Sequence, residues 1–149
     1  MKNDIAYIIS DNTLFYAEGR VQAGVPHSPV TRLIQGVYSC EPDAYIARTI
    51  LRHRIFFTGQ ASQMCHGMVK IAAKRLTDRA PFPDFSTYSN LVNLGPQLIS
   101  PAPGQTDIKA RLLSPDGVEL AFAENNNLHN KTWHAEVLMV QKYYEKFGG

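Results

Sequence analysis

Val118-Glu-Leu-Ala-Phe-Ala-Glu-Asn-Asn-Asn127, followed after a short polar loop by Trp133-His-Ala-Glu-Val-Leu-Met-Val-Gln-Lys-Tyr-Tyr144, is the stretch whose reading decides the fold. The first part reads as a half-buried strand, Asn125 to Asn127 as a turn, and the second part as a helix able to cover a sheet through Val137, Leu138, Val140 and Gln141. His134 and Glu136 then fall in the first turn of that helix. An imidazole at a helix opening can present a ring nitrogen to a metal, and a Glu two residues on can point into the same cavity without being a ligand. A purely structural reading stands beside this one. Thr132 is a good N-cap, an acid at position 136 complements the helix dipole, and consecutive Asn residues tolerate left-handed turn geometry.

Working upstream, Ile108-Lys-Ala-Arg-Leu-Leu alternates apolar and basic residues, and Ser114-Pro-Asp-Gly117 has Pro and Gly at favoured turn positions. Residues 108–122 are therefore predicted to form an antiparallel hairpin that feeds the Asn turn and the helix.

Hairpin, Asn loop and His-Ala-Glu helix, taken together over about Ile108 to Gly149, resemble the cytidine deaminase-like superfamily. These are zinc-dependent nucleotide and nucleic-acid deaminases, and the likeness is to the N-terminal part of the bacterial toxin-type or tRNA-adenosine-deaminase-like branch. The resemblance implies an α/β fold: a partial deaminase-like α/β/α sandwich, consisting of the first hairpin and the His-Ala-Glu helix, preceded by a small α/β domain. It implies that His134 binds zinc through a neutral ring nitrogen and that Glu136 is the general acid and base. By the same resemblance Asn126 binds the sugar or backbone of the substrate, and Trp133 stacks on a base or plugs the helix end. The family's second zinc motif, Pro-Cys-x-x-Cys, is not in this sequence, because Cys40 and Cys65 match it in neither order, spacing nor flanking Pro.

The expected function is thus a cytosine or adenine deaminase-like hydrolase acting on a nucleoside, nucleotide or nucleic acid, with an incomplete zinc site. A single His does not hold zinc, so a second polypeptide segment or self-association is expected to complete it. The alternative is a non-catalytic binding or regulatory domain, or a truncated deaminase relative that needs a partner chain.

Composition narrows the class. In 149 residues, 44% are hydrophobic and 19% charged, an ordinary globular balance sufficient for one domain or two small ones. The formal charge of +2 is too small to argue nucleic-acid binding by itself. Its positive charge is local, in Arg48, Arg52, His53 and Arg54 and again in Lys70, Lys74, Arg75 and Arg79, and runs of this kind are usually solvated faces. A further option has Arg52, Arg54 and Lys70 binding an anionic ligand. Two unpatterned cysteines argue for free thiols, and the N-terminus has neither the apolar core of a secretory signal nor a membrane-length run. The expected setting is the cytoplasm, away from the membrane.

Residues 1–100 read as an N-terminal α/β domain with a linker, and 101–149 as the deaminase-like part. Residues 4–20 predict a hairpin about Asp11-Asn12, and the two prolines in Gly24 to Val30 predict a loop. Thr31 to Ser39 reads as a third strand, and Glu41-Pro-Asp43 as the opening of a helix with Ala44, Ala47, Ile50 and Leu51 on one stripe. Ile55 to Gly59 is a buried strand or a continuation of that helix. Ala61 to Arg79 reads as one helix carrying Met64 and Met68 as core residues. From Ala80 to Thr106 the prolines predict a linker or insertion.

Overall fold

The structure, a computed structural model, describes residues 3–19, 28–41, 43–94, 109–124 and 135–147. The chain divides into two compact units, Met1–Gln97 and Leu98–Gly149.

The first unit is built on a hairpin. β1 (Asp4–Ser10) and β2 (Thr13–Gly19) pair antiparallel from Asp4 opposite Gly19 to Ser10 opposite Thr13. Asp11 and Asn12 close it with φ of 47° and 60°. Both central residues of a type I′ turn need positive φ, and Asp and Asn adopt it more readily than other side chains. β3 (Ile55–Phe57) joins β1 antiparallel, β4 (Leu76–Thr77) joins β3 in parallel, and β5 (Asn90–Asn93) joins β2 in parallel. The result is a five-stranded mixed sheet in the order β4-β3-β1-β2-β5.

One face of this sheet is covered by helices α1 (Pro29–Cys40) and α2 (Ala44–Leu51), and α3 (Gln63–Ala72) packs against α1. Ala6, Ile8, Ala17, Ile55 and Phe57 lie buried beneath them. The other face carries Ile5, Tyr7 and Leu14, with Tyr16, Phe56, Phe85 and Tyr88 packed against them. Its cover is the segment after Ala80: the Tyr7 hydroxyl donates to the Pro81 carbonyl at 2.8 Å, and Phe85 meets Tyr16 edge-on at 5.0 Å.

Four expectations are corrected here. Thr31 to Ser39 is the body of α1, and Pro29, read as loop, is its first residue. Ser28 caps it by accepting from the Thr31 amide, and Pro suits a first turn because its missing N–H would be unpaired there anyway. Val30, Leu33, Ile34, Val37 and Tyr38 follow at helical spacing, but Thr31, Gln35 and Gly36 are buried as well. The β-branched and aromatic residues of this stretch favour a strand by local propensity, and packing against the sheet and the other helices overrides that preference.

The second correction shortens the Ala61–Arg79 helix to α3. Beyond Ala72 the chain turns into β4, where the Ile55 amide donates to the Arg75 carbonyl at 2.9 Å and Leu76 pairs with Ile55. Ladder bonds to an open strand edge replace the helical bonds that local propensity favours. Third, the expected linker from Ala80 is an integral part of the unit up to Leu94, whose amide bonds the Tyr16 carbonyl at 2.8 Å. Fourth, α2 begins at Ala44 with Asp43 as its cap rather than at Pro42; of the two readings open for Ile55 to Gly59, the strand holds over Ile55–Phe57. Pro42 itself lies outside the described residues.

The second unit holds β6 (Lys109–Leu113), β7 (Glu119–Glu124) and α4 (Ala135–Phe147). The expected hairpin forms, with a bulge between Leu112 and Leu113, and Gly117 takes φ of 88° in its turn. Pairing sets Ala110 opposite Ala123 and Leu112 opposite Ala121 on one face, and Lys109, Arg111, Phe122 and Glu124 on the other. α4 packs across the hairpin, burying Ala135, Leu138 and Gln141. Small side chains on the Ala110/Ala123 face allow this close seating. No helix among the described residues is long and apolar enough to cross a membrane.

Candidate functional site

Of the four residues expected to carry chemistry, the structure describes Glu136. It is the second residue of α4, exposed, in the first turn, with Ala135 and Leu138 buried on either side. His134, Trp133 and Asn126 lie outside the described residues. α4 follows the hairpin in sequence and is described from Ala135 onward. Farther along the same helix, the Lys142 ammonium lies 3.4 Å from the Phe122 carbonyl and fastens α4 to β7.

A zinc ion needs about three or four nitrogen, sulfur or oxygen donors at one point. Among the described residues no group of three His, Cys, Asp or Glu side chains could hold a metal ion. Cys40 is exposed at the end of α1, and Cys65 is buried in α3, so both belong to the first unit. Cys65 serves that unit's packing: its sulfur lies 3.1 Å from the Ser28 hydroxyl and 3.4 Å from the Ser62 hydroxyl, where the starts of α1 and α3 meet. The described residues by themselves thus do not accommodate zinc.

The first unit offers two further features. A cleft of about 130 Å³ is lined by Phe15, Val37, Ile50, Val92 and Leu94, with Cys40 and Glu41 at its rim. Small-molecule sites usually run from about 300 to 1,000 Å³, so this space is too small to enclose a nucleoside. It is a packing gap between α1, α2 and the β2–β5 edge.

The second feature is electrostatic. The two basic runs of the sequence follow different helices but meet at one end of the sheet. Arg52, His53 and Arg54 lead into β3, Lys74 and Arg75 lead into β4, and the two strands run parallel with Ile55 beside Leu76. All five side chains are exposed. Arg54 donates to the Thr77 hydroxyl at 2.8 Å, and His53 Nε2 lies 3.3 Å from the Ser10 hydroxyl. Lys70 stands in the last turn of α3, which ends toward the same cluster. Arg48 and Arg79 are not in this group: Arg48 faces Tyr38, opposing the rise that burial imposes on that phenol's pKa, and Arg79 follows β4 at its far end.

Reading the sequence missed this union because it took residues 61–79 as one helix. The signal was present in a repeated order, cations followed at once by an apolar residue, at Arg52-His-Arg-Ile55 and again at Lys74-Arg-Leu76. No protein-family model, curated protein or solved structure matches the chain.

Proposed function

We propose that this chain is part of a zinc-dependent, deaminase-like hydrolase that removes the exocyclic amine of cytosine or adenine in a nucleotide or nucleic acid. The observation that carries the reading is the second unit's architecture: an antiparallel hairpin followed by a helix packed across it, with Ala135 and Glu136, the last two residues of the His-Ala-Glu tripeptide, opening its described part. In this reading the unit is the first portion of a deaminase-like α/β/α sandwich. Zinc, when bound, would lower the pKa of a coordinated water enough to yield hydroxide near neutral pH.

His134 supplies one neutral imidazole donor, and the remaining donors come from a further segment or a second polypeptide. Glu136 would take one proton from the attacking water and give it to the substrate's ring nitrogen, and would then carry the second proton, from the newly added hydroxyl, to the amine that departs as ammonia while the carbonyl forms. Its exposure leaves the carboxylate accessible until a substrate covers it. Asn126 holds the sugar or backbone by hydrogen bonds, and Trp133 stacks on the base. β6 and β7 pair only with each other among the described residues, and a two-stranded sheet is marginal alone. The completing segment is therefore expected to add a strand at an open edge. Free cysteines suit the reducing cytoplasm as the setting.

One feature favours a second reading, a non-catalytic binding or regulatory unit: an acid in the first turn of α4 complements the helix dipole without any chemistry. Zinc content by elemental analysis of the wild type and His134→Ala separates the two. Stoichiometric zinc that is lost in the variant supports the hydrolase, and ammonia release from cytosine and adenine substrates, abolished in Glu136→Gln, completes the case. Zinc in neither protein, and no ammonia release, leaves the binding unit.

A further inference from the structure

The cation-rich end of the first unit differs from an ordinary solvated face in three respects. First, it is assembled from two separate chain segments by the parallel pairing of β3 and β4, which sets Arg54 beside Arg75. Second, among the described residues none of Arg52, Arg54, Lys70, Lys74 and Arg75 forms an ion pair. The ion pair found there, Arg111 with Glu119, is in the other unit. Third, the Arg54 bond to Thr77 lays the guanidinium along the sheet face that the helices leave uncovered, because Thr77 pairs with Phe56.

That face has an aromatic ring next to the charges. Phe56 is half-exposed and stacks on Tyr7 with ring centres 5.3 Å apart and planes 23° from parallel. Continuing the β1–β3 register sets Ile9, 38% exposed, opposite Arg54. Cations alone would suit any polyanion. Cations beside a supported ring and an exposed apolar side chain suit one whose charged backbone carries flat bases, since a base can stack while its phosphate meets a guanidinium. In a duplex the base faces are occupied by their neighbours, so the ring adds nothing there.

We propose that this end of the first unit is a binding surface for single-stranded nucleic acid, with Arg54, Arg75, Arg52 and Lys74 on successive phosphates and Phe56 beneath a base. The proposal rests on the first unit alone and is independent of the deaminase reading. Oligonucleotide binding without zinc or ammonia release retains this surface and removes that reading. The opposite result does the reverse.

The test is fluorescence anisotropy of the full chain with labelled 12-nucleotide single-stranded DNA and RNA of mixed sequence. The same sequences as duplexes, and vesicles of phosphatidylcholine with phosphatidylserine, serve as competitors. Four phosphate contacts to a single strand give a log–log salt slope of about −3. Arg54→Glu with Arg75→Glu is expected to weaken binding by more than about tenfold and to flatten that slope. Lys109→Glu with Arg111→Glu, the same charge change in the other unit, is expected to leave binding nearly intact. Phe56→Leu, which keeps an apolar contact with Tyr7, is expected to weaken single-strand binding by about tenfold and duplex binding little. The proposal is overturned by no binding at low salt, by equal losses in both double variants, by duplex binding as tight as single-strand binding with Phe56→Leu silent, or by vesicles that bind while oligonucleotides do not. Thermal melts of each variant identify any that fails to fold, and Arg54→Ala with Arg75→Ala then replaces the charge reversal.

Discussion

Replacing Tyr7 by Phe removes one oxygen atom from the sheet face of the first unit that the segment after Ala80 covers, and leaves the ring in place. Tyr7 is 5% exposed, and its hydroxyl donates to the Pro81 carbonyl at 2.8 Å, a bond that holds the segment after Ala80 against β1. The ring's stacking on Phe56 survives the substitution, so the loss is that of the hydrogen bond. Pro81 is exposed and its carbonyl can turn to water. The cost at neutral pH is therefore about 0.5–1.5 kcal/mol, not the roughly 1–3 kcal/mol of a stranded buried acceptor. The pH dependence adds a sign. Burial raises the pKa of the Tyr7 phenol above its ordinary value, and the neighbouring Tyr88 adds to the rise. A group whose folded pKa is raised contributes stability in full below its unfolded value, about 10 for Tyr, and loses it as the pH climbs through the folded value. Phe has no such dependence. Urea unfolding of the full chain, followed by far-ultraviolet circular dichroism at about pH 7 and about pH 10.5, should show the wild type ahead at neutral pH and the gap narrowing at alkaline pH. Equal stability at neutral pH, or a gap that widens as the pH rises, would refute the reasoning.

Leu33→Ala empties a fully buried position of α1 and should cost about 2–5 kcal/mol in the same unfolding experiment, since the surrounding helix and sheet close the cavity only in part. Gly59→Ala is expected to destabilise by about 1–3 kcal/mol: an added Cβ would stand 2.8 Å from an Asp4 carboxylate oxygen and 2.9 Å from the Phe57 ring, and a lowered Tm would register it. The Asp84 carboxyl is held below the usual carboxylate range, first by the Ser86 hydroxyl and then by the Ser86 amide. Its contribution is present above the ordinary carboxylate pKa and lost as the pH falls through the lowered value, so amide exchange at Ser86 should quicken only in strong acid, and Asp84→Ala should remove that dependence.

Local sequence was sufficient wherever turn chemistry or capping alone decides an element. Asp11-Asn12 accepts the two positive φ values of a tight hairpin turn, Ser114 to Gly117 closes the second hairpin, and the periodic run after His134 forms α4. The place of Glu136 in the first turn of α4 was legible for the same reason, because a helix start is a local feature. Tertiary structure decided the rest. α1 is a helix although its β-branched and aromatic residues favour a strand locally, because packing between the sheet and the neighbouring helices overrides that propensity. Leu76-Thr77 and Asn90–Asn93 are strands because β3 and β2 offer open edges, and such an offer is invisible to residues more than twenty positions away in one case and more than seventy in the other. The meeting of Arg52, His53 and Arg54 with Lys74 and Arg75 follows from that same pairing. Charge is encoded residue by residue, but its concentration at one place is set by strand register, which forms only when distant segments come together.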